Sequence, residues 1–351
     1  MRHTPRPSSR MQRPCMRQTK PYPLAFSQPV RAVHHIKNQL PFMETPMRNT
    51  SSRNNIFHML AVAGTLLAGA ASAGQAAAQT TTFAASYNGA SVYGGSCGST
   101  YNISGVEPSA TGTYPVFIYM VGTSESYNNA AAMAAVNNMA NKGYVAATVD
   151  YATSQFGNCS VLSSKSSCIF SPNSSVSAVA QLCSRAKADC SKGIVVAGFS
   201  QGSVLALLAK NYDARVQAAY GMGMSNVYST YDLSSCVSNG NRTLQSDRLR
   251  AVDGERDNFA GGSQSAVQSS LQNVTGMTCK SGSYACLTSN NSGWIIVKNT
   301  QVQDGSADHC YMRKSGDCLG SQSSNDSGWQ SGTVSWELDT NLQWLTNFTT
   351  K

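Results

Sequence analysis

Histidine is nearly missing from most of this sequence. Four of its five histidines stand at positions 3, 34, 35 and 58, and residues 59–351 hold one, His309. Any imidazole chemistry in that span must use this ring. The cysteines include no C-x-x-C pair, and with one histidine to complete a ligand set a zinc site has little support. No metal and no cofactor is expected. Charge is also thin, at 12% of residues, and unevenly placed. Residues 1–53 hold one acid, Glu44, against ten of the 26 Lys and Arg, and residues 54–78 carry no charge. The net charge of +9 therefore belongs to the leader; the remainder has sixteen basic and sixteen acidic residues and is formally neutral. The nucleic-acid partner that the overall basic charge would suggest is therefore not expected for residues 79–351. No internal repeat is present.

What the leader contains is basic and Pro-rich, without apolar periodicity, and residues 1–53 are expected to be disordered. The run from Ile56 to Ala78, IFHMLAVAGTLLAGAASAGQAAA, follows Arg48 and Arg53 and ends in small residues at Ala71-Ser72-Ala73 or Ala76-Ala77-Ala78. Positive flank, apolar run and small-residue end make residues 54–78 a secretory signal peptide, so the protein is expected to be secreted with no membrane span left after cleavage. A retained span is the competing reading. Met43 and Met47 both stand at suitable distances upstream, so translation is expected to start at Met47 or Met43, with the earlier residues a gene-model extension. An organelle transit peptide is the rival.

Ten cysteines follow the leader, an even number suited to an exported, disulfide-rich domain over residues 79–351. Connectivity does not follow from sequence, but short spacings suggest Cys159 with Cys168, Cys183 with Cys190, Cys279 with Cys286 and Cys310 with Cys318. Cys97 and Cys236 would then pair over long range.

Short apolar runs bounded by turn residues read as buried strands at residues 115–120, 143–150, 193–197, 216–220, 248–252 and 293–298. Helical patterns occupy 130–142, 175–187, 202–211 and about 335–347. Such alternation implies an α/β, doubly wound, mainly parallel sheet, with active-site loops at the carboxyl ends of its strands.

Gly198-Phe199-Ser200-Gln201-Gly202 matches G-x-S-x-G. The pentapeptide alone is weak, but Ile194-Val195-Val196 leads in as a strand and the run Val204 to Ala209 leads out as a helix. That setting puts a serine hydroxyl, exposed, on a tight, strained turn. A serine nucleophile needs a base, and His309 is the available ring. The third member, orienting the imidazole, should fall between the strand ending at Val252 and His309. Asp257 is preferred there, one turn past the strand; Asp253, at the strand end, is second and Glu255 third.

The order Ser200, Asp257, His309, with the elbow, resembles the α/β-hydrolase superfamily, whose triad runs serine, acid, histidine. Gly254 to Asp257 looks like that superfamily's loop after its seventh strand, and the resemblance covers roughly residues 115–348. The Phe-Ser-Gln-Gly form is similar to that of cutinases and acetylxylan esterases. The compact acid-to-histidine spacing of cutinases is lacking, so neither branch is assigned. An oxyanion hole would take one N–H from Gln201 and a second from the loop Val121-Gly122-Thr123-Ser124, where Thr123 is chosen. The superfamily's common His-Gly pair is replaced there by Val121-Gly122.

The expected function is a secreted serine hydrolase cleaving small-molecule or polymeric carboxylic esters through an acyl-enzyme. A peptidase or thioesterase on the same fold is chemically compatible. A non-catalytic secreted binding or adhesion protein on the scaffold is the alternative from another class.

Overall fold

The structure, a computed structural model, describes residues 79–315 and 324–351. The leader and signal segment expected over 1–78 lie outside the described residues, as does Cys318. Nine strands among the described residues form one sheet. In spatial order they are β1 (Thr80–Ser91), β2 (Gly94–Pro108), β4 (Val145–Val149), β3 (Val116–Met120), β5 (Ile194–Phe199), β6 (Val216–Met222), β9 (Leu249–Gly254), β11 (Gly293–Val297) and β10 (Ala285–Leu287). A separate two-stranded ribbon pairs β7 (Val227–Tyr228) with β8 (Tyr231–Asp232).

The run β4-β3-β5-β6-β9-β11 is parallel throughout, while β2 and β10 pair antiparallel at its two sides. All residues of β3, β4, β5 and β11 are buried, which explains why they read as nearly unbroken apolar runs rather than alternating ones. Helices flank the sheet in two groups. One pairs α1 (Ala130–Asn141) with α8 (Leu338–Leu345), beside α7 (Ser327–Ser331). The other holds α2 (Cys159–Phe170), α3 (Ala178–Cys183), α4 (Gln201–Leu208), α5 (Ser234–Val237) and α6 (Gln264–Thr275). This is the α/β, doubly wound, mainly parallel architecture that the sequence pattern and the resemblance implied. None of the helices among the described residues is long and apolar enough to cross a membrane.

Three expectations need correction. The antiparallel hairpin β1–β2 was not expected: its residues are Ser-, Thr-, Asn- and Gly-rich, and much of each strand is half-buried or exposed. The helix expected over 175–187 shrinks to α3. Past Ser184 the backbone turns so that Lys187 O accepts from Tyr114 N–H at 2.8 Å and Asp189 N–H donates to Tyr114 O at 2.8 Å, which draws the segment out of helix.

The third correction concerns the disulfides. Cys183–Cys190 and Cys279–Cys286 form as expected, but the other pairs are Cys97–Cys168 and Cys159–Cys236. Cys159 and Cys168 occupy one helix, α2. Nine residues of helix separate Cα atoms by about 13 Å, twice the reach of a disulfide. The two long-range bridges close spans of 71 and 77 residues, and in the loop-entropy account each restricts the unfolded chain by about 4 kcal/mol, against about 2 kcal/mol for each seven-residue loop. Cys310 is disulfide-bonded as well.

Candidate active site

At the carboxyl end of β5 the chain reverses within one residue. Ser200 takes φ 52°, ψ −118°, and α4 begins at Gln201. Its N–H donates to Met222 O on the neighbouring strand at 2.8 Å, and its carbonyl accepts from Ser203 N–H at 2.9 Å and Ser203 Oγ at 2.6 Å. A non-glycine residue in this region costs on the order of 1–3 kcal/mol, and it persists only where neighbours over-determine it. The close approach of strand and helix depends on two glycines. A Cβ on Gly198 would stand 2.3 Å from Gly202 C, and one on Gly202 2.2 Å from Met120 O, backbone atoms that cannot swing aside. Gly202→Ala is therefore expected to lower stability by about 1–3 kcal/mol or more, read by chemical denaturation. An unchanged midpoint would show that the elbow tolerates a side chain.

His309 and Ser200 line the same cavity, of about 520 Å³. The imidazole is 5% exposed and its Nδ1 lies 2.6 Å from Asp257 Oδ2. With Nδ1 engaged, Nε2 is the nitrogen left for the cavity. Asp257 is fully buried, and its other oxygen accepts Phe259 N–H at 2.7 Å, which fixes the carboxylate. Burial opposes its ionisation, but the His309 ring and the hydrogen bonds the carboxylate accepts outweigh it and hold the carboxyl below its ordinary value.

Of the three candidate acids, then, Asp257 meets the ring. Glu255 turns away and accepts from Tyr284 Oη and Asn299 N–H, both at 2.7 Å. Asp253 is fully buried beside the pair. One of its oxygens accepts Gly254 N–H at 2.8 Å and the other meets no hydrogen-bond partner. Burial first, and the Asp257 charge second, hold the Asp253 carboxyl well above the usual range, the opposite direction to Asp257. Asp253, Asp257 and His309 bring potential ligand atoms within 4.8 Å of one another. The 2.6 Å contact between Nδ1 and Oδ2 nonetheless fits a shared proton. Two ligands on one zinc, at bonds of about 2.0 Å in tetrahedral array, stand about 3.3 Å apart.

The expected oxyanion residues, Gln201 and Thr123, come from the start of α4 and from the turn after β3. Gln201 opens α4, so its amide is among the N–H groups that a helix start leaves unpaired. Thr123 lines the cavity in the turn after β3. Ser124 N–H donates to Thr153 O at 2.9 Å and Gly122 N–H to Glu125 Oε2 at 2.7 Å, whereas the Thr123 amide meets no acceptor among the described residues. Gln201 and Thr123 are also joined by side chains, Gln201 Nε2 donating to Thr123 Oγ1 at 2.9 Å.

Three residues that sequence reasoning missed tie these segments down. Lys165 Nζ, buried on α2, donates to Gln201 Oε1 at 2.9 Å, Ala152 O at 2.8 Å and Gln155 O at 2.9 Å; burial pulls its ammonium down to about 8. Glu125 pairs with Arg313 in a buried ion pair that ties the turn after β3 to the segment following His309. Nothing in their local sequence marks them, because each acts through a partner far along the chain.

No protein-family model and no curated protein matches this sequence. Among solved structures, the chain is similar to a hypothetical protein from Pseudomonas aeruginosa, at 18% identity over 46% of each chain and TM-score 0.33. It is similar to brefeldin A esterase, a bacterial homologue of human hormone-sensitive lipase, at 14% identity over 51% of this chain and 62% of that one, TM-score 0.36. It is also similar to a serine hydrolase without a lid from Xanthomonas campestris, at 11% identity over 62% and 82%, TM-score 0.40. The chain spans less than two thirds of the length of the first two.

Proposed function

We propose that this chain is a secreted serine hydrolase that cleaves carboxylic esters through an acyl-enzyme. The observation that carries the reading is the 2.6 Å contact of His309 Nδ1 with buried Asp257, on a ring that borders the same cavity as elbow residue Ser200. In the reaction, His309 Nε2 takes the Ser200 proton as Oγ attacks the ester carbonyl. Negative charge gathers on the carbonyl oxygen, where the amides of Gln201 and Thr123 stabilise it. The tetrahedral intermediate collapses, the alcohol leaves with the proton from His309, and an ester now joins the acyl group to Ser200. Water, deprotonated by the same ring, attacks that ester and releases the acid. Asp257 orients the imidazole and stabilises its charged form. Export is supported by the apolar segment before residue 79 and by the disulfides of the domain.

A fluorophosphonate probe tests the chemistry directly. The folded protein is expected to take one label, on Ser200, found by peptide mass spectrometry, and heat-unfolded protein to take none. Folded protein that stays unlabelled at Ser200 would point instead to a binding module on the scaffold.

A further inference from the structure

Resting on that reading, we propose that the Ser200 site selects neutral esters with an aromatic acyl group, seated against a wall built from Phe156, Tyr228, Tyr231 and Phe259. These four rings, together with Phe199, line the cavity into which Ser200 and His309 open. They come from three separate segments, and each is held in place. Tyr228 and Tyr231 are direct cross-strand partners on the ribbon β7–β8, so they share one of its faces. Phe156 meets both, with ring centroids at 4.7 and 5.5 Å. Phe259 stands 4.6 Å from the His309 ring and is 44% exposed, as Tyr231 is 40% exposed, so the wall runs from the reacting atoms out to the mouth.

The wall is also fixed before any substrate arrives. Cys159, three residues past Phe156, is bridged to Cys236, four residues past the end of β8, which clamps the two sides together. The Tyr228 hydroxyl is spent within the protein, donating to Gly223 O at 2.8 Å and accepting from Ser225 N–H at 3.0 Å. The ring, rather than its polar end, is what Tyr228 offers a ligand. Rings pack on rings in offset and edge-to-face arrangements that add to plain area burial, and preformed walls give up little freedom on binding.

Charge sets the second half of the selection. Among the described residues that line the cavity there is no Lys or Arg, and the one carboxylate, Glu125, is committed to Arg313 and to Gly122 N–H. An anionic acyl group would find no counter-ion there and would approach Glu125. Neutral rings are favoured and carboxylate-bearing acyl groups rejected.

The test compares kcat/KM for p-nitrophenyl acetate, p-nitrophenyl benzoate and p-nitrophenyl hydrogen succinate, each divided by its hydroxide-catalysed rate to remove intrinsic reactivity. The normalised benzoate-to-acetate ratio is expected to be about tenfold or more above one, and the succinate-to-acetate ratio about tenfold below one. Phe156→Leu and Tyr231→Leu keep apolar bulk but lose the ring, and each should lower the benzoate-to-acetate ratio several-fold. Because Tyr231 lies at the mouth, its variant does not depend on core repacking, and circular dichroism checks both folds. A ratio near one, or one that neither variant moves, overturns the aromatic selection while Ser200-dependent acetate hydrolysis leaves the esterase reading standing. Absence of hydrolysis of all three, with Ser200 unlabelled, overturns both.

Discussion

Replacing His309 by alanine is expected to cut ester turnover about 10⁴-fold or more. The size follows from the lack of a substitute. Residues 59–351 hold no other imidazole, and at neutral pH a serine hydroxyl without a base is a poor nucleophile. Ser200→Ala should cost about as much, and the double variant little more than either alone, since the two groups act as one unit. The measurement is kcat on p-nitrophenyl butyrate at neutral pH, with circular dichroism to confirm the fold. His309→Ala strands Asp257 as a buried, unpaired charge, and such losses cost about 3–5 kcal/mol. His309→Asn supplies a donor for Asp257 without a base and so separates lost chemistry from lost fold. A His309 variant that keeps more than about a tenth of the parent rate would sink the mechanism.

The second large effect separates two buried carboxyls. Asp257→Asn should lower kcat about 10⁴-fold. An amide opposite Nδ1 can no longer hold the ring in the tautomer that leaves Nε2 free to accept a proton. Asp253→Asn, four positions away, should keep activity within several-fold of the parent, because burial and the Asp257 charge favour the neutral form of Asp253, which the amide imitates. Its signature lies in stability. The folded Asp253 pKa is raised, so the native state holds a proton that the unfolded chain releases above about pH 4. The contribution of this group is full below that pH and falls as pH rises toward the folded value, by about 1.4 kcal/mol per unit. Asp253→Asn removes that loss, so its stability relative to the parent should rise from pH 4 to pH 7 in urea titrations. Activity lost at Asp253 and kept at Asp257 would reverse the assignment of the orienting acid.

Much of the fold was legible because its central strands are buried on both faces and so appear as apolar runs with sharp ends. The elbow was legible because strand, two glycines and helix adjoin in sequence. Scarcity pointed to His309, and a place one turn past β9 to Asp257, the two side chains that the structure brings into contact. Other features were closed to such reasoning for physical reasons. β1 and β2 form an outer hairpin with weak patterning. α2 is Ser-rich and starts from an Asn158 cap rather than an apolar stripe. Lys165, Glu125 and Arg313 matter through contacts spanning 36 and 188 positions. The aromatic wall exists only once three loops converge.

The placement of two half-cystines on α2 bears on how the chain matures. The seven-residue loops at 183–190 and 279–286 can close by local diffusion in an unstructured polypeptide. Cys159 and Cys168 cannot find their partners that way with any selectivity. Each needs the helix to exist and to have docked, one end beside the outer hairpin and the other beside the ribbon that roofs the cavity. Oxidation at these sites thus registers native topology after collapse, and a shuffling error at Cys159 would reach the ribbon that lines the cavity.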